Sequence, residues 1–444
     1  AVASFIQALG QNPGLEKALQ DAGTGAHVYV GNALGAFPTI FKTSLELYRA
    51  QRRWNRFWSH PERNSALARF EREGGEAPVV RPSTLVDPDA REEAEDAWFA
   101  YWASQSDALA EYLRELSELE SPGVEGDVAT GKMKVLRDKR RGLALLTEKW
   151  NAPEPPWNQV SANVLWNIPN TPASQISMLG KITGLAFAPV AACSTFSVGL
   201  KLALDTIARG EAKFVVVGSA DPPPHPMTVG AFYGARVLSA DGQSSKPLSK
   251  MKGTHVAGGA CIWIVGDLEY GLSLGFRPLG IEPLAVGVSS DADHIITPSE
   301  EGPRKAMHAA LERAHVEAAD VVSWDLHATA TPGDFQELEN LQTVVGKSTC
   351  VSARKGTFGH GMGVGGGWEL TAQYLGMARG ELFPTSLAKS ELHPSIADLG
   401  QSLVLDRAVP VARGPVGKLS MGVGGINACV VSRPWDPSDV GGDD

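Results

Sequence analysis

The sequence predicts an α/β protein, and three observations support that prediction. Apolar strand patterns alternate with helix patterns from about residue 151 to about residue 434, with glycine frequent at the junctions. Within this region, 187–221 has the order strand, abrupt turn, helix, strand, with Gly210 placed to end the helix. The chain has 444 residues, 43% of them apolar, with 48 Gly and 29 Pro. That composition is typical of a globular protein with two domains or one duplicated core.

The first elements along the chain are an amphipathic helix at 4–22 and a buried strand at 27–31. No strand pattern precedes them. We therefore expect the sequence to begin inside a domain, with an opening segment missing.

Residues 38–150 have dense charge and sparse glycine. Trp54 with Trp58, and Trp98 with Trp102, recur at helical spacing, which predicts two or three long helices and favours helix packing over a ligand site. The breaks are expected near Pro61, 78–88 and 121–123. Two basic clusters occur here, at 49–56 and 132–141; solvated helix faces are the ordinary interpretation, and partner binding is the alternative.

Further elements follow the organising stretch at 187–221. Strands are predicted at 255–267, 277–291, 321–326 and 350–352, and helices at 302–314, 334–346 and from the glycine run after His360 to Tyr374. The chain closes with strand, glycine turn and strand over 418–432.

Charge and cysteine usage exclude several classes of protein. A net charge of −10 argues against a nucleic-acid partner and requires a local basic patch for any acidic one. No apolar run reaches the roughly 18–20 residues that span a bilayer, and no signal peptide opens the chain. The four cysteines are scattered without a CxxC pair, which argues against a metal site and indicates a reducing compartment, the cytoplasm.

Cys193 lies at the predicted junction between a strand and a helix, with Ser194 and Thr195 as candidate capping residues. Free N–H groups at a helix N-terminus favour a thiolate and can bind an oxyanion. The alternative is a small residue of the core, which is where most free cysteines are found.

Two histidines strengthen the catalytic interpretation of Cys193. His327 follows a strand end, where open α/β sheets place their ligand-binding groups. His360 lies among glycines that permit close approach of the backbone to a substrate, and the turn 422–425 can present N–H groups in the same way. One Cys and two His at strand ends form a plausible nucleophile with polar activators.

These motifs resemble those of the β-ketoacyl-acyl-carrier-protein synthases of the thiolase superfamily, the Cys-His-His type. The matching segments are Ala192–Ser194, 327–337, 355–369, 422–427 and, as in elongating members, 289–294. Every motif stands in family order, over roughly 1–35 and 155–434. The long block at 38–150 resembles the bacterial branch called FabY.

The resemblance implies the thiolase fold, a five-layer αβαβα arrangement of two similar βαβαβαββ halves. Residues 1–250 would form the first half, without its opening strand and with a helical insertion at about 38–150. Residues 251–434 would form the second half, and 435–444 a tail. Members are homodimers paired through a strand of the first half.

The resemblance also implies a decarboxylating Claisen condensation in fatty acid biosynthesis. Cys193 would take the acyl group from an acyl-CoA or acyl-carrier protein, and His327 and His360 would bind the carbonyl oxygen of malonyl-acyl carrier protein through their Nε–H groups. The backbone N–H groups of Cys193 and Val423 would form the oxyanion hole. Lys355 would be a further catalytic residue, and Asp334 and Glu337 a supporting network; the family residues at these three positions orient the histidines and support the charge network. No cofactor is implied, because phosphopantetheine arrives on the substrate.

The chain departs from the family pattern near the nucleophile. Val423 replaces the usual Phe gate, Ala328 replaces a Gly, and Ala257–Ala260 lacks the usual carboxylate. Phe196, one turn after Cys193, adds bulk where a long acyl chain would need room. Together with the FabY likeness, this predicts a short primer such as the acetyl group of acetyl-CoA. The candidate substrate-binding residues are Phe196, Thr329, Thr331 and Gly424.

The motifs also bear on other members of the superfamily. A thiolase would carry a second Cys in the final glycine turn, an initiating synthase of the Cys-His-Asn type would lack the second His, and a chain-length factor would lack Cys193. A polyketide-type ketosynthase or a non-catalytic scaffold of the same fold remains as an alternative, since fold alone does not specify activity. We also expect the basic residues Arg137, Lys139, Arg140 and Arg141 to help bind the acidic carrier protein.

Overall fold

The computed structural model describes residues 1–123, 128–240, 245–295 and 299–435. The predicted tail at 435–444 therefore lies, apart from Trp435, outside the described residues. The chain divides into two compact units. One comprises Ala1–Phe37 and Asn167–Asp444, and the other is Pro38–Trp166.

The N-terminal segment forms α1 (Val2–Gly10), α2 (Leu15–Asp21) and β1 (Ala26–Gly31). The single helix predicted at 4–22 is thus wrong. Gly14, with φ of +90°, breaks it and starts α2, because a left-handed backbone cannot continue a right-handed helix. Phe5 and Leu19 are fully buried on the outer face of the first sheet.

The described residues of the second unit form helices joined by turns and loops, without a strand. Its helices are α3 (Phe37–Trp58), α4 (Ser65–Glu73), α5 (Pro88–Ser104), α6 (Asp107–Glu120) and α7 (Val128–Trp150). The prediction of two or three helices is wrong, because buried Asn64 and Ser106 cap additional helix starts by accepting the N–H groups of Leu67 and Leu109.

Aromatic packing holds the helical unit together, as its spacing predicts. Trp54, Trp58 and Tyr112 form one cluster, with ring centroids 5.2–5.4 Å apart. Trp157 also packs on Trp54, at 5.9 Å. The unit therefore extends past the predicted boundary at residue 150, to Trp166.

The chain then returns to the α/β unit. Its next elements are α8 (Thr171–Gly180), β2 (Ala186–Phe187), α9 (Thr195–Ala208), β3 (Phe214–Asp221), α10 (Pro226–Gly234) and β4 (Gly259–Gly266). The remaining elements are α11 (Leu268–Ser273), β5 (Ile281–Ser290), α12 (Glu301–Ala314), β6 (Ser323–Asp325), α13 (Gly333–Val345), β7 (Cys350–Ser352), α14 (Lys355–Phe358), α15 (Gly365–Ala378), β8 (Glu381–Leu382), α16 (Pro394–Asp398), β9 (Val409–Pro410), β10 (Val416–Gly422) and β11 (Ile426–Pro434).

Two main sheets organise these elements. The first has the order β2-β1-β3-β4, parallel except for the antiparallel pair β3–β4. The second has the order β5-β11-β10-β6-β7, in which β10, β6 and β7 are parallel. The predicted division at 250/251 is therefore misplaced, because β4 completes the first sheet and the second begins with β5.

A shared core lies between the sheets. It combines Val217 of β3 with Leu200 of α9, Leu370 of α15 and Val430 of β11. Helices α9 and α15 are therefore enclosed by both sheets, which is the layered arrangement predicted for a thiolase fold. No helix in the described ranges is long and apolar enough to cross a membrane.

Candidate active site

Cys193 lies in a tight turn, Ala192–Ser194, that leads directly into α9. Ala192 has a φ of +47°, a left-handed conformation that is uncommon for residues other than glycine and that recurs at functional sites. Gly422 of β10 makes room for this turn, because a Cβ there would lie 2.8 Å from the Ala191 oxygen and 3.3 Å from the Cys193 nitrogen.

The side chains after Cys193 anchor the turn rather than cap the helix. The Ser194 hydroxyl donates to the carbonyls of Ser420 (3.1 Å) and Ile426 (2.8 Å) in the second sheet. The Thr195 hydroxyl accepts from the Ala191 N–H at 2.9 Å and donates to the Ala192 carbonyl at 2.7 Å. The prediction that these residues cap α9 is therefore wrong, since neither side chain accepts from an N–H group of that helix.

Burial dominates the ionisation of Cys193. It raises the pKa of the thiol to about 11, against the opposing effects of the Lys355 charge and a hydrogen bond from the Val423 N–H. The helix terminus therefore does not produce the resting thiolate that the sequence suggested. The Val423 N–H nonetheless donates toward the Cys193 sulfur.

The rest of the glycine turn is less available than predicted. The Gly424 N–H donates to the Ile295 carbonyl at 2.7 Å, and the Gly425 N–H donates to the Gly422 carbonyl at 3.0 Å. These two donors are engaged within the protein, so Gly424 offers no free N–H to a substrate.

His327 follows β6, and buried carboxylates hold its loop. Glu337 accepts from the backbone N–H groups of His327 at 2.6 Å and Ala328 at 2.7 Å. Asp334 accepts from Thr329 at 2.8 Å and Ala330 at 3.1 Å. Both carboxylates thus bind main chain and do not touch an imidazole, in contrast to the orienting contacts that the resemblance implied.

The two carboxyls are hard to ionise. Burial raises the pKa of Glu337 to about 7 and that of Asp334 to about 6, and the N–H donors only partly oppose this. The loop around His327 is therefore held by groups that titrate near neutral pH.

His360 is held by main chain alone. The backbone N–H of His360 donates to the His255 carbonyl at 2.8 Å, and the backbone carbonyl of His360 accepts from the Ala257 N–H at 2.9 Å. The His327 and His360 rings meet edge to face, with centroids 5.4 Å apart and planes at 83°.

Both imidazoles are neutral in this environment. Burial and the Lys355 charge lower the pKa of His360 to about 3, and the same two causes hold that of His327 well below its ordinary value. A neutral imidazole has one N–H donor, so each histidine can donate one hydrogen bond to a substrate oxygen.

Lys355 determines which nitrogen of His327 carries the proton. Its buried amino group lies 3.4 Å from His327 Nδ1, donates to the His327 carbonyl, and pairs with Glu369 Oε1 at 2.6 Å. An ammonium group is only a donor, so Nδ1 must accept and the proton must lie on Nε2. This is the Nε–H donor that the resemblance implies.

The other predicted binding residues occupy different environments. The half-buried hydroxyls of Thr329 and Thr331 hydrogen-bond each other at 2.9 Å. Phe196 is fully buried, with its ring 5.2 Å from that of Trp263 and against Gly367. Phe196 therefore belongs to the packed core between α9, α15 and β4.

Sequence reasoning missed three buried charged residues beside the site. Glu369 pairs with both Lys355 and Lys418, and Asp221 accepts the N–H groups of Ala33, Leu34 and Gly363 at 2.8–3.0 Å. The available signal was a charged residue at the end of, or inside, an apolar strand pattern, as for Asp221 in β3 and Lys418 in β10.

Fold and site together define a thiolase-fold protein with one cysteine and two histidines in a buried centre. The "Beta-ketoacyl synthase, N-terminal domain" family model matches residues 136–269, and the "Beta-ketoacyl synthase, C-terminal domain" model matches 282–388. The chain belongs to the β-ketoacyl synthase family.

Curated relatives agree with this membership. The chain is 31% identical over 280 residues to 3-oxoacyl-[acyl-carrier-protein] synthase 2 of Rhizobium meliloti (strain 1021), covering 60% of this chain and 65% of the relative. Nodulation protein E of Rhizobium meliloti is 29% identical, with 60% and 66% covered. The Staphylococcus aureus (strain COL) 3-oxoacyl-[acyl-carrier-protein] synthase 2 is 28% identical, with 61% and 66% covered. The chain thus spans 65–66% of the length of these relatives.

Solved structures share the fold. The ishigamide ketosynthase/chain length factor has a TM-score of 0.58 at 23% identity, with 67% of this chain and 72% of that chain covered. A type II polyketide ketosynthase in complex with its acyl-carrier protein has a TM-score of 0.59 at 18% identity, and the match covers 68% of this chain and 76% of that chain. A β-ketoacyl synthase from Burkholderia phymatum STM815 gives 0.57 at 23%, with 66% and 72% covered.

Proposed function

We propose that the chain catalyses the decarboxylating condensation of an acyl primer with malonyl-acyl carrier protein, as a β-ketoacyl-acyl-carrier-protein synthase of fatty acid biosynthesis. The observation that carries this proposal is the pair of buried, neutral imidazoles meeting at 5.4 Å, one of them fixed as an Nε2–H donor by Lys355. Two such donors suit a developing enolate oxygen, and Lys355 acts electrostatically on Cys193 and on both histidines.

The first step is acyl transfer to Cys193. The sulfur attacks the primer thioester, the new S–C bond replaces the old one, and the thiol proton passes to the departing thiolate. Because burial keeps the resting thiol protonated, Lys355 and the Val423 N–H must favour the thiolate during attack.

The second step is decarboxylation of the malonyl thioester. The electron pair of the C–C bond forms the enolate as carbon dioxide leaves, and the negative oxygen accepts hydrogen bonds from His327 and His360. Neutral histidines serve this step better than imidazolium, since they donate without transferring a proton.

The third step is carbon–carbon bond formation. The enolate carbon attacks the acyl-Cys193 carbonyl, whose oxyanion the N–H groups of Cys193 and Val423 would bind. Collapse expels the Cys193 thiolate, which regains a proton, and leaves a β-ketoacyl thioester.

Mass spectrometry after mixing with acyl-CoA or acyl-carrier protein tests the assignment. We expect one acyl group on Cys193, none in Cys193→Ala, and normal loading of the matched Cys261→Ala. Cys261 is equally buried, with its pKa also raised to about 11, but it lies within β4. Formation of an acyl-enzyme in Cys193→Ala would contradict the assignment of Cys193 as the nucleophile.

A polyketide-type ketosynthase is the second candidate, favoured by the fold shared with a type II polyketide ketosynthase. Product length separates the two. One condensation per loaded primer supports fatty acid synthesis, whereas repeated condensation without reduction supports the polyketide reaction. A chain that neither acylates nor decarboxylates malonyl thioesters would be a scaffold.

The primer is proposed to be short, as in an initiating enzyme of the FabY kind using acetyl-CoA. Phe196 is fully buried in the core, and Val423, which replaces the gate residue, is 43% exposed. A series of acyl thioesters from two to sixteen carbons tests this. We expect kcat/KM to fall with length, and Phe196→Ala to relax the limit; a flat or rising series would contradict it. In a hydrophobic pocket, one methylene changes the free energy that discriminates between two substrates by about 1–3 kcal/mol.

The carrier protein is the proposed partner of α7. Arg137, Arg140 and Arg141 are exposed. Lys139 pairs with Glu120 at 3.2 Å, so the proposed carrier-protein contact does not include it. Reversing the three arginine charges should raise KM for malonyl-acyl carrier protein and leave turnover of malonyl-CoA unchanged. Arg69→Glu, at an exposed arginine of α4, is the control. An unchanged KM would indicate that these arginines form only a solvated helix face.

The active form is proposed to be a cytoplasmic homodimer paired through β2. This strand is the edge of the first sheet, and Met178, Leu185 and Val190 beside it are 55–62% exposed. Light scattering should give twice the 47.1 kDa chain mass, and Leu185→Asp should lower it. A monomeric wild type at micromolar concentration would contradict this.

A further inference from the structure

Lys418 is a fully buried lysine that the proposed reaction steps do not use. It lies in β10, between β11 and β6, in register with Val430 on one side and Asp325 on the other. Its amino group pairs with Glu369 Oε2 at 2.7 Å and donates to the backbone carbonyls of Leu326 (3.2 Å) and Leu419. A buried ammonium group is tolerated only with such partners.

Glu369 is shared between two lysines. Its Oε1 pairs with Lys355 at 2.6 Å, and its Oε2 pairs with Lys418. Lys355 in turn lies 3.4 Å from His327 Nδ1. A continuous polar chain therefore runs from Lys418 through Glu369 and Lys355 to His327, and Lys418 also binds the carbonyl of the residue preceding His327.

The two lysines differ in how firmly the backbone holds them. Lys355 begins the four-residue helix α14, whereas Lys418 lies on a strand hydrogen-bonded on both sides. With one oxygen fixed by Lys418, the Glu369 carboxylate cannot rotate away from Lys355 without breaking a buried ion pair. The strand thereby sets the position of the amino group that selects the His327 tautomer.

The surrounding charges make a balanced set. The carboxyl groups that face Lys418 are Glu369 on α15, Asp325 on β6 and Glu337 on α13. Asp325 is also paired with buried Arg354 at 2.6 Å. Cys429 of β11 faces Lys418 as well, and the Lys418 charge acts on both histidines. Removing Lys418 would leave Lys355 as the one lysine of the described residues that pairs with Glu369.

We propose that Lys418 is a positioning residue for the condensation: by holding Glu369 it keeps Lys355 against His327 and keeps His327 a neutral Nε2–H donor. This rests on the proposed function for its catalytic consequence, but its effect on His327 is a property of the ligand-free protein. If Glu369 took part only in a structural ion pair, one cation would be enough. Both Lys355 and Lys418 pair with it.

The principal test is Lys418→Met in the full chain, with imidazole titration by NMR of the ligand-free protein. Lys418 and Lys355 both disfavour the imidazolium form of His327. We therefore expect the His327 titration to move toward its ordinary value in Lys418→Met. Arg354→Met is the matched control, since it removes another buried cation of this cluster whose side chain bonds to Asp325, Ser352 and the Phe383 carbonyl and not to Glu369 or Lys355. It should leave the His327 titration unchanged.

Kinetics supply the second readout. Malonyl decarboxylation should fall about 10-fold in Lys418→Met, less than the about 10²–10³-fold typical of losing a direct donor. Acyl transfer to Cys193 should stay within the same order of magnitude. In a Lys355→Met background, Lys418→Met should cause a smaller loss of decarboxylation than it causes alone, because the part of its effect that passes through Lys355 is already absent.

The outcomes are distinguishable. A folded Lys418→Met with unchanged His327 titration and unchanged decarboxylation overturns the proposal, as do equal losses in Arg354→Met or additive losses with Lys355→Met. If Lys418→Met does not fold, Lys418→Gln takes its place: the His327 titration should still move, because the charge is lost, but decarboxylation should fall less than in Lys418→Met, because the amide still donates to Glu369. A wild type without decarboxylase activity but with the His327 shift in Lys418→Met would refute the proposed function and leave the positioning contact established.

Discussion

The two histidine loops reach one site by different means. Carboxylates from α13 hold the backbone N–H groups around His327, with four of the contacts at 2.6–3.1 Å. His360 instead forms a short parallel bridge with Val256, so main chain satisfies main chain. Gly359 permits this close approach, because its φ is +77° and a Cβ there would lie 2.9 Å from that of Ala257.

This difference has a chemical consequence. A loop held by buried carboxyls depends on their ionisation, whereas a loop held by peptide groups does not titrate. The two histidines have similar burial and a similar proposed role, but only the support of His327 is sensitive to pH near neutrality.

The largest expected effect comes from removing either imidazole. His327→Ala and His360→Ala should each lower malonyl decarboxylation by about 10²–10³-fold, because each removes one buried donor to the enolate oxygen. His360→Ala should still permit some acylation of Cys193, which intact-mass spectrometry would measure. Lost acylation with normal decarboxylation would reverse the assigned roles.

Glu337→Gln should affect the His327 loop and leave the His360 loop unchanged, because Glu337 bonds only to the former. Its carboxyl accepts two buried N–H groups, and hydrogen bonds to charged groups contribute about 1.5–3 kcal/mol each. Because the amide accepts through only one oxygen and leaves one buried N–H unpaired, we expect slower decarboxylation and a loss of about 1–3 kcal/mol in the free energy of unfolding at pH 5, where the folded-state carboxyl is protonated and the substitution removes no buried charge. Glu339→Gln on the same helix is the control for urea unfolding; an equal loss there would contradict the specific contact.

The pH dependence of stability should differ in sign between the two sites. Glu337 has a pKa raised from 4.5 to about 7, so the folded state binds more protons and stability falls as pH rises through that window. His360 has a pKa lowered from 6.5 to about 3, so stability is full above 6.5 and is lost as pH falls toward 3.

Urea titrations at several pH values can isolate these slopes. Each proton contributes at most about 1.4 kcal/mol per pH unit. Glu337→Gln should flatten the decline between pH 4.5 and 7, and His360→Asn should flatten the rise between pH 3 and 6.5. Identical profiles in wild type and both variants would show that burial does not shift these groups.

The smallest expected effect concerns Thr331, which has no counterpart beside His360. Its hydroxyl bonds that of Thr329 at 2.9 Å at a half-buried position. Thr331→Val should weaken binding of the malonyl thioester by about 1 kcal/mol or less, because one neutral hydrogen bond is lost. Steady-state kinetics should show a raised KM with kcat retained; a large fall in kcat would place Thr331 in the chemical step.

Local patterns predicted where Cys193 and His327 lie in the fold. The strand-to-helix junction placed Cys193 at the start of α9, and the strand end placed His327 after β6. These features depend on residues within a few positions of each other, and helix and strand periodicity report such relations directly. The aromatic spacing of 38–150 likewise predicted helix packing, although side-chain caps inside the block divided it into more helices.

Long-range features were not predictable in this way. Lys418, Glu369 and Lys355 come from β10, α15 and α14, and only the folded sheet brings the first beside the other two. Ser194 was predicted to cap α9 and instead binds Ser420 and Ile426, more than 220 residues away. A hydroxyl can satisfy several acceptors, and tertiary packing selects among them.

The sequence by itself determined the fold class, the order of the motifs, the place of Cys193 at the start of a helix and the place of His327 after a strand end. Tertiary structure alone decided their protonation: the Cys193 thiol with a pKa of about 11, the neutral imidazoles, and the His327 proton on Nε2. The physical reason is that ionisation depends on removal from water and on charges brought close by distant segments. Neither quantity is a property of the neighbouring sequence.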